Sequence, residues 1–120
     1  MAHELNMEDD GILRISLSGD LDKSVIENLR KDYSPYMAAS TQENPLNNVI
    51  FASQLCKISS SARIFFAELN QDARYGLVAF INAPRRARVL SKFILKATKR
   101  DNIQFFGNEE EALSWIKSQT

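Results

Sequence analysis

From Ile12 to Ser18 (ILRISLS), Leu13, Ile15 and Leu17 alternate with Arg14, Ser16 and Ser18, the two-residue period of a strand with one face in water. Asp9-Asp10-Gly11 ahead of it is a turn signal, and with the stretch from His3 to Met7 it predicts an opening hairpin. After Asp22 the period lengthens: Ile26, Leu29, Arg30 and Tyr33 recur at helical spacing with Val25 beside them, and Pro35 predicts a bend or restart through PYMAAS. A polar loop, TQENPLNN, delivers the chain to a second core strand starting at Val49. In ISSSARIFFAELNQD, Ile64, Phe65 and Leu69 share a helical face, and Ser59 or Ser60 offers the capping oxygen. Tyr75-Gly76 punctuates, after which LVAFI (residues 77–81) reads as a strand buried on both faces. Asn82-Ala83-Pro84 opens a third helix with proline in its first turn and an apolar stripe of Leu90, Phe93, Ile94 and Ala97. Residues 103–106 form a short strand, Gly107-Asn108 a turn, and residues 109–111 the acidic first turn of a last helix carrying Ala112, Leu113 and Ile116.

Strands alternating with helices imply right-handed crossovers, hence an α/β fold: a mostly parallel, mixed sheet of four to five strands, an N-terminal β-hairpin and about four helices. Without an internal repeat or a long linker, residues 1–120 read as one domain.

Fifteen basic residues balance fifteen acidic ones, which argues against a general nucleic-acid or membrane coat, so no nucleic-acid partner is expected. The single cysteine, Cys56, has no partner within the chain, and no charged and apolar leader opens the sequence, so a reduced, cytoplasmic setting is expected. LVAFI is far shorter than the roughly 20 apolar residues of a membrane helix.

Catalytic chemistry finds few candidates. The lone histidine, His3, lies near the terminus, so a triad built on a central histidine has no base. One histidine and one cysteine leave only carboxylates for a metal, and the aspartates near Asp20 lack the glycine and distal glutamate of a calcium loop. The glycine spacings that cradle phosphate are missing as well, so neither metal nor cofactor is expected. Asp20 and Asp22 read best as a structural junction, with Gly19 freeing the chain to leave the strand and the carboxylates tying the helix start. A hydrolase or transferase built on the two aspartates has no nucleophile or base beside it.

Along the third helix Arg85, Arg88, Lys92, Lys96 and Lys99 fall on one broad wet face, with Arg86 and Arg100 nearby. Such a stripe is either a solvated helix face or a docking surface for an anionic partner. Phe93 is assigned to the apolar stripe, so protein or phospholipid is favoured over nucleic acid.

The run SGDLDKSVIENLR resembles the opening of STAS domains, named for sulfate transporters and anti-sigma-factor antagonists, in which a strand ends in G-[ED]-L-D and a leucine-arginine pair follows. Gly19, Asp20, Leu21, Asp22, Leu29 and Arg30 carry the match. Where the family has a D-S-S-G loop, this chain has Ser59-Ser60-Ser61-Ala62, and GLVAFINAPRRARVLSKFILKATKRDNIQFFGNEEEAL is similar to the family's closing portion. The resemblance implies a STAS-like domain that acts as a non-catalytic protein-interaction module. In bacterial members the loop serine is phosphorylated by an anti-sigma-factor kinase, which turns binding off. By position Ser60 is the candidate phosphoacceptor, flanked by Ser59 and Ser61, and the implied partner is an anti-sigma factor or related serine kinase-like protein. Two departures stand out: Ser59 replaces the family aspartate, removing a carboxylate beside the serine, and Ala62 replaces a glycine, restricting the turn.

The ending FFGNEEEALSWI is also similar to a branch of the same fold grouped with sporulation antagonist and lipid-transfer-like domains, with Trp115 read as a packing residue. That branch implies the alternative, a small-molecule or lipid-binding domain without a phosphoserine switch, taking an acidic lipid or apolar ligand in an internal pocket. A sheet edge left by the hairpin keeps a homodimer open.

Overall fold

The computed structural model describes residues 3–120, and it begins with the expected hairpin. β1 (His3–Met7) runs antiparallel to β2 (Ile12–Leu21). At the turn Gly11 takes φ +77°, Asp10 accepts the Ile12 N–H at 3.0 Å, and Arg14 Nη1 meets the same carboxylate at 2.6 Å. The Arg14 hydrogen bond holds the Asp10 carboxyl below its usual range against the opposing effect of partial burial.

The remaining elements follow in the predicted alternation: α1 (Lys23–Ala38), β3 (Leu46–Ile58), α2 (Ser60–Gln71), β4 (Tyr75–Ile81), α3 (Arg85–Thr98), β5 (Ile103–Phe106) and α4 (Glu109–Gln119). The five strands lie in the order β1-β2-β3-β4-β5, parallel from β2 onward. Right-handed crossovers that all step the same way put α1, α2 and α3 on one face of the sheet. There Leu13, Ile15, Leu17, Ile50, Val78 and Phe80 meet Ile26, Leu29, Tyr33, Phe65, Leu69, Leu90 and Ile94 in the main core. The other face is smaller: Ile12, Val49, Ala79 and Ile81 lie under Ala112 and Ile116 of α4, with Phe106 and Trp115 packed 5.6 Å apart at its edge.

Five expectations are corrected. β3 begins at Leu46 instead of Val49, because the asparagines that looked like loop are bonded inside the sheet. Asn48, fully buried, donates to the Leu46 carbonyl at 2.9 Å and accepts from the Tyr33 hydroxyl at 3.2 Å, while Asn47 Oδ1 accepts the Leu77 N–H at 2.9 Å. β4 likewise starts at Tyr75; Gly76 is not punctuation but a close approach, since a Cβ there would collide with the Asn47 side chain and the Leu46 carbonyl. Pro35 does not break α1. It sits one turn before the end at Ala38, where the loss of one backbone donor is tolerated, and its own carbonyl accepts the Ala39 N–H at 3.1 Å.

Pro84 is the N-cap of α3, just outside its first turn. The buried stripes are also rotated from the predicted ones. α2 buries Ala62, Phe65, Phe66 and Leu69 and leaves Ile64 59% exposed; α3 buries Ala87, Leu90, Ser91 and Ile94 and leaves Phe93 49% exposed, with Ala97 also outside.

Candidate interaction surface at the second helix start

Two strand-to-helix junctions lie side by side at the carboxyl ends of β2 and β3. At the first, Gly19 takes φ +67°, Leu21 is buried, and Asp22 is the N-cap of α1, its Oδ1 accepting the Val25 N–H at 3.0 Å. Asp20, expected to share that task, instead lies exposed within β2, which continues through it to Leu21. The Leu21 carbonyl accepts the Ser59 N–H at 3.2 Å and so ties the first junction to the second.

Ser59 is the N-cap of α2, and its Oγ accepts the Ala62 N–H at 3.1 Å. A serine here therefore does the capping that an aspartate would do. Ala62 is helical and fully buried, so the alanine restricts no turn, contrary to expectation. Ser60, the first residue of the helix, is exposed; its Oγ accepts from Arg63 Nη2 at 3.3 Å, while Ser61 is half-buried.

Beside this junction a groove of about 740 Å³ runs between the end of β3 and the start of α3. Lys57 and Ile58 form one wall, Arg85, Arg86, Val89 and Phe93 the other, and Arg63 lies at the α2 end. Val89 is 59% exposed. Arg86 reaches across, its Nη1 donating to the Leu55 carbonyl at 2.9 Å.

The cations predicted along α3 point in different directions. Arg85 lines the groove, but Arg88 turns toward β5, where its guanidinium lies 4.7 Å over the Phe105 ring and its Nε donates to the Ala83 carbonyl at 3.4 Å. Lys92 and Lys96 face solvent on the outer side of α3. The residues that sequence reasoning missed are Arg63, Val89 and the exposed positions of Ile64 and Phe93. Val89 carried a signal, since at helical spacing it falls beside Arg85 and Lys96 on the wet side, and Phe93 one turn on shares that exposed side with it.

Other polar clusters are spoken for by the fold. His3 is buried, its Nε2 2.7 Å from Asp32 Oδ2, which pins β1 to α1. Burial pushes the Tyr33 and Tyr75 phenols up, so both stay protonated, 3.2 Å apart. Asn102 Nδ2 donates to Asn70 Oδ1 and to the Gly76 carbonyl, each at 2.7 Å. Among the described residues no group of three or more histidine, cysteine or acidic side chains could hold a metal, and no helix is long and apolar enough to cross a membrane.

With this geometry in place, the comparisons with known proteins fall into one pattern. The family model DUF7793, a domain of unknown function, matches residues 6–120. No curated protein matches the sequence. Among solved structures, an uncharacterized protein of the DUF3478 family with a SpoIIAA-like fold, from Shewanella loihica PV-4, superposes with a TM-score of 0.75 at 19% identity over 95% of this chain and 93% of that one. The anti-sigma factor antagonist SpoIIAA in its unphosphorylated form gives 0.71 at 19% identity over 97% and 98%. An anti-sigma factor antagonist from Mycobacterium paratuberculosis gives 0.65 at 20% identity over 96% and 94%. The fold is thus the STAS-like, SpoIIAA-like one that the GDLD stretch pointed to.

Proposed function

The chain belongs to the DUF7793 family, and on the fold it shares with anti-sigma factor antagonists we propose that it is a non-catalytic, cytoplasmic protein-interaction module whose docking surface surrounds the start of α2 and is switched by phosphorylation of Ser60. One observation carries the reading: the exposed Ser60 hydroxyl opens a capped helix beside a groove walled by cations and by exposed Val89 and Phe93. A hydroxyl there is open to a kinase. The phosphate it would carry meets unpaired N–H groups of the first turn, the positive end of the helix dipole and the Arg63 guanidinium already bonded to it. The same charge, about −1.5 to −2, changes what the neighbouring surface can bind.

The partner fitting this reading is an anti-sigma factor or related serine kinase-like protein. The lipid-binding alternative asks for an internal apolar pocket, whereas this groove is an open cleft with Lys57, Arg63, Arg85 and Arg86 along it. The test is a phosphopeptide map of the protein from its native cells, combined with binding of the co-purified kinase-like protein to wild type and Ser60→Asp. Phosphate on Ser60 and at least about tenfold weaker binding by Ser60→Asp, with an unchanged circular dichroism spectrum, is the expected result. Equal binding by the two proteins overturns the switch.

A further inference from the structure

β2 and β3 outrun the rest of the sheet. β3 pairs with β4 only as far as Phe51 and Ile81, yet it stays paired with β2 to Leu21 and Ile58. β4 cannot follow, because the chain turns out of line at Asn82, which takes φ +52°. From residue 52 to residue 58, β3 therefore presents to the α3 side an edge that no strand of this sheet covers. The edge is turned toward the groove: the Leu55 carbonyl faces that way, and a side chain, Arg86, meets it where a strand would otherwise donate.

We propose that this edge receives an extended, acidic segment of a partner protein, which adds to β3 as a further strand in the place β4 vacates. Backbone pairing supplies the attachment, and alternate side chains of the incoming strand point to the two sides, as in strand addition generally. Within the groove Ile58, Val89 and Phe93 suit apolar residues of that strand. Lys57, Arg63, Arg85 and Arg86 line the same groove with no carboxylate among them, so acidic residues suit it as well.

An uncovered edge is ordinarily a hazard, and this one carries two devices against indiscriminate pairing. Lys57 stands on it, and between the Gly19–Leu55 and Leu21–Ile58 pairs β3 has one residue more than β2, a bulge. The bulge hinders any incoming strand, and the lysine disfavours a neutral or basic one but becomes an attraction for an acidic one.

This inference rests on the reading of this face as an interaction surface, and it gives the switch a physical basis. A phosphate on Ser60 would occupy Arg63 and place negative charge at the mouth of the groove, against an acidic segment.

The test selects binders to the full protein from a displayed library of short peptides that combine acidic and apolar residues in varied order. The best binder is then compared with its copy N-methylated at alternate amides, and amide exchange is followed by NMR. Expected are roughly tenfold weaker binding on N-methylation and a similar loss with Arg85→Glu/Arg86→Glu, two exposed positions. Exchange should slow at amides within residues 53–57. A library that yields no binder, an N-methylated peptide that binds as well as its parent, or unchanged exchange at those amides overturns strand addition. If a native partner still distinguishes wild type from Ser60→Asp in any of those cases, the interaction module stands and only this mode of docking falls.

Discussion

The two strand-to-helix junctions use the same device in different surroundings. Asp22 caps α1 and Ser59 caps α2 with side-chain oxygens 3.0 and 3.1 Å from the third N–H of the helix, and the Ser59 amide is bonded to Leu21. Around Asp22 the first helical residue is Lys23, and Glu27 follows on the exposed side. Around Ser59 the first helical residue is a serine, held by Arg63 and opening onto the cation-lined groove. A capping motif alone therefore says little about function. What separates the proposed switch at Ser60 from a plain joint is the residue after the cap and the charge of the surface it faces.

That contrast breaks most readily at the first helical residue of each junction. Ser60→Asp should weaken partner binding by at least about tenfold, whereas Lys23→Asp, which adds negative charge at the equivalent place of α1, should leave it unchanged in the same titration. Loss of binding in both variants would mean that the whole end of the sheet, and not the α2 junction, is the docking surface. Next in size is the backbone. Gly19 holds φ +67° with open space where a Cβ would go, so Gly19→Ala should cost about 1–2 kcal/mol in urea unfolding from conformation alone.

The caps themselves should be interchangeable in energy. Asp22→Ala and Ser59→Ala are each expected to destabilise by about 1 kcal/mol, and a much larger loss at either one would show that the junction carries more than a cap. Smallest is the gain from Ser59→Asp, about 0.3–1 kcal/mol at low ionic strength, from a carboxylate at the positive end of α2. Because the helix favours the ionised form, the folded pKa would lie below the unfolded one. The gain should then be full at neutral pH and vanish as the pH falls through the carboxyl's titration, which thermal unfolding at several pH values would follow.

Much of this was legible. Alternation in ILRISLS and the helical spacing of Ile26, Leu29 and Tyr33 reflect burial on one face, and those signals survive without knowledge of the neighbours. A serine cap at residue 59 or 60 was readable for the same reason, since a cap is local, and the structure assigns it to Ser59. What was hidden depends on partners distant in sequence. Asn48 looks like loop until Tyr33 and the Leu46 carbonyl satisfy it inside the core. Ile64 and Phe65 are equal candidates for a core face until the packing of α2 against α1 and α3 chooses Phe65 and leaves Ile64 outside. The uncovered edge of β3 was the least legible feature, because it comes from the different places at which two neighbouring strands end.

The order of the strands has a consequence for how the chain is built. Each strand pairs with the one made just before it, so during synthesis every new strand emerges to find its earlier neighbour already available. Assembly can proceed in the direction of translation, with little loop entropy to overcome beyond each crossover. α4 is the exception: it covers the second face, and it leaves the ribosome after all five strands. Until it docks, Val49, Ala79 and Ile81 face water, so a sheet whose strands have all paired still exposes an apolar face that invites association.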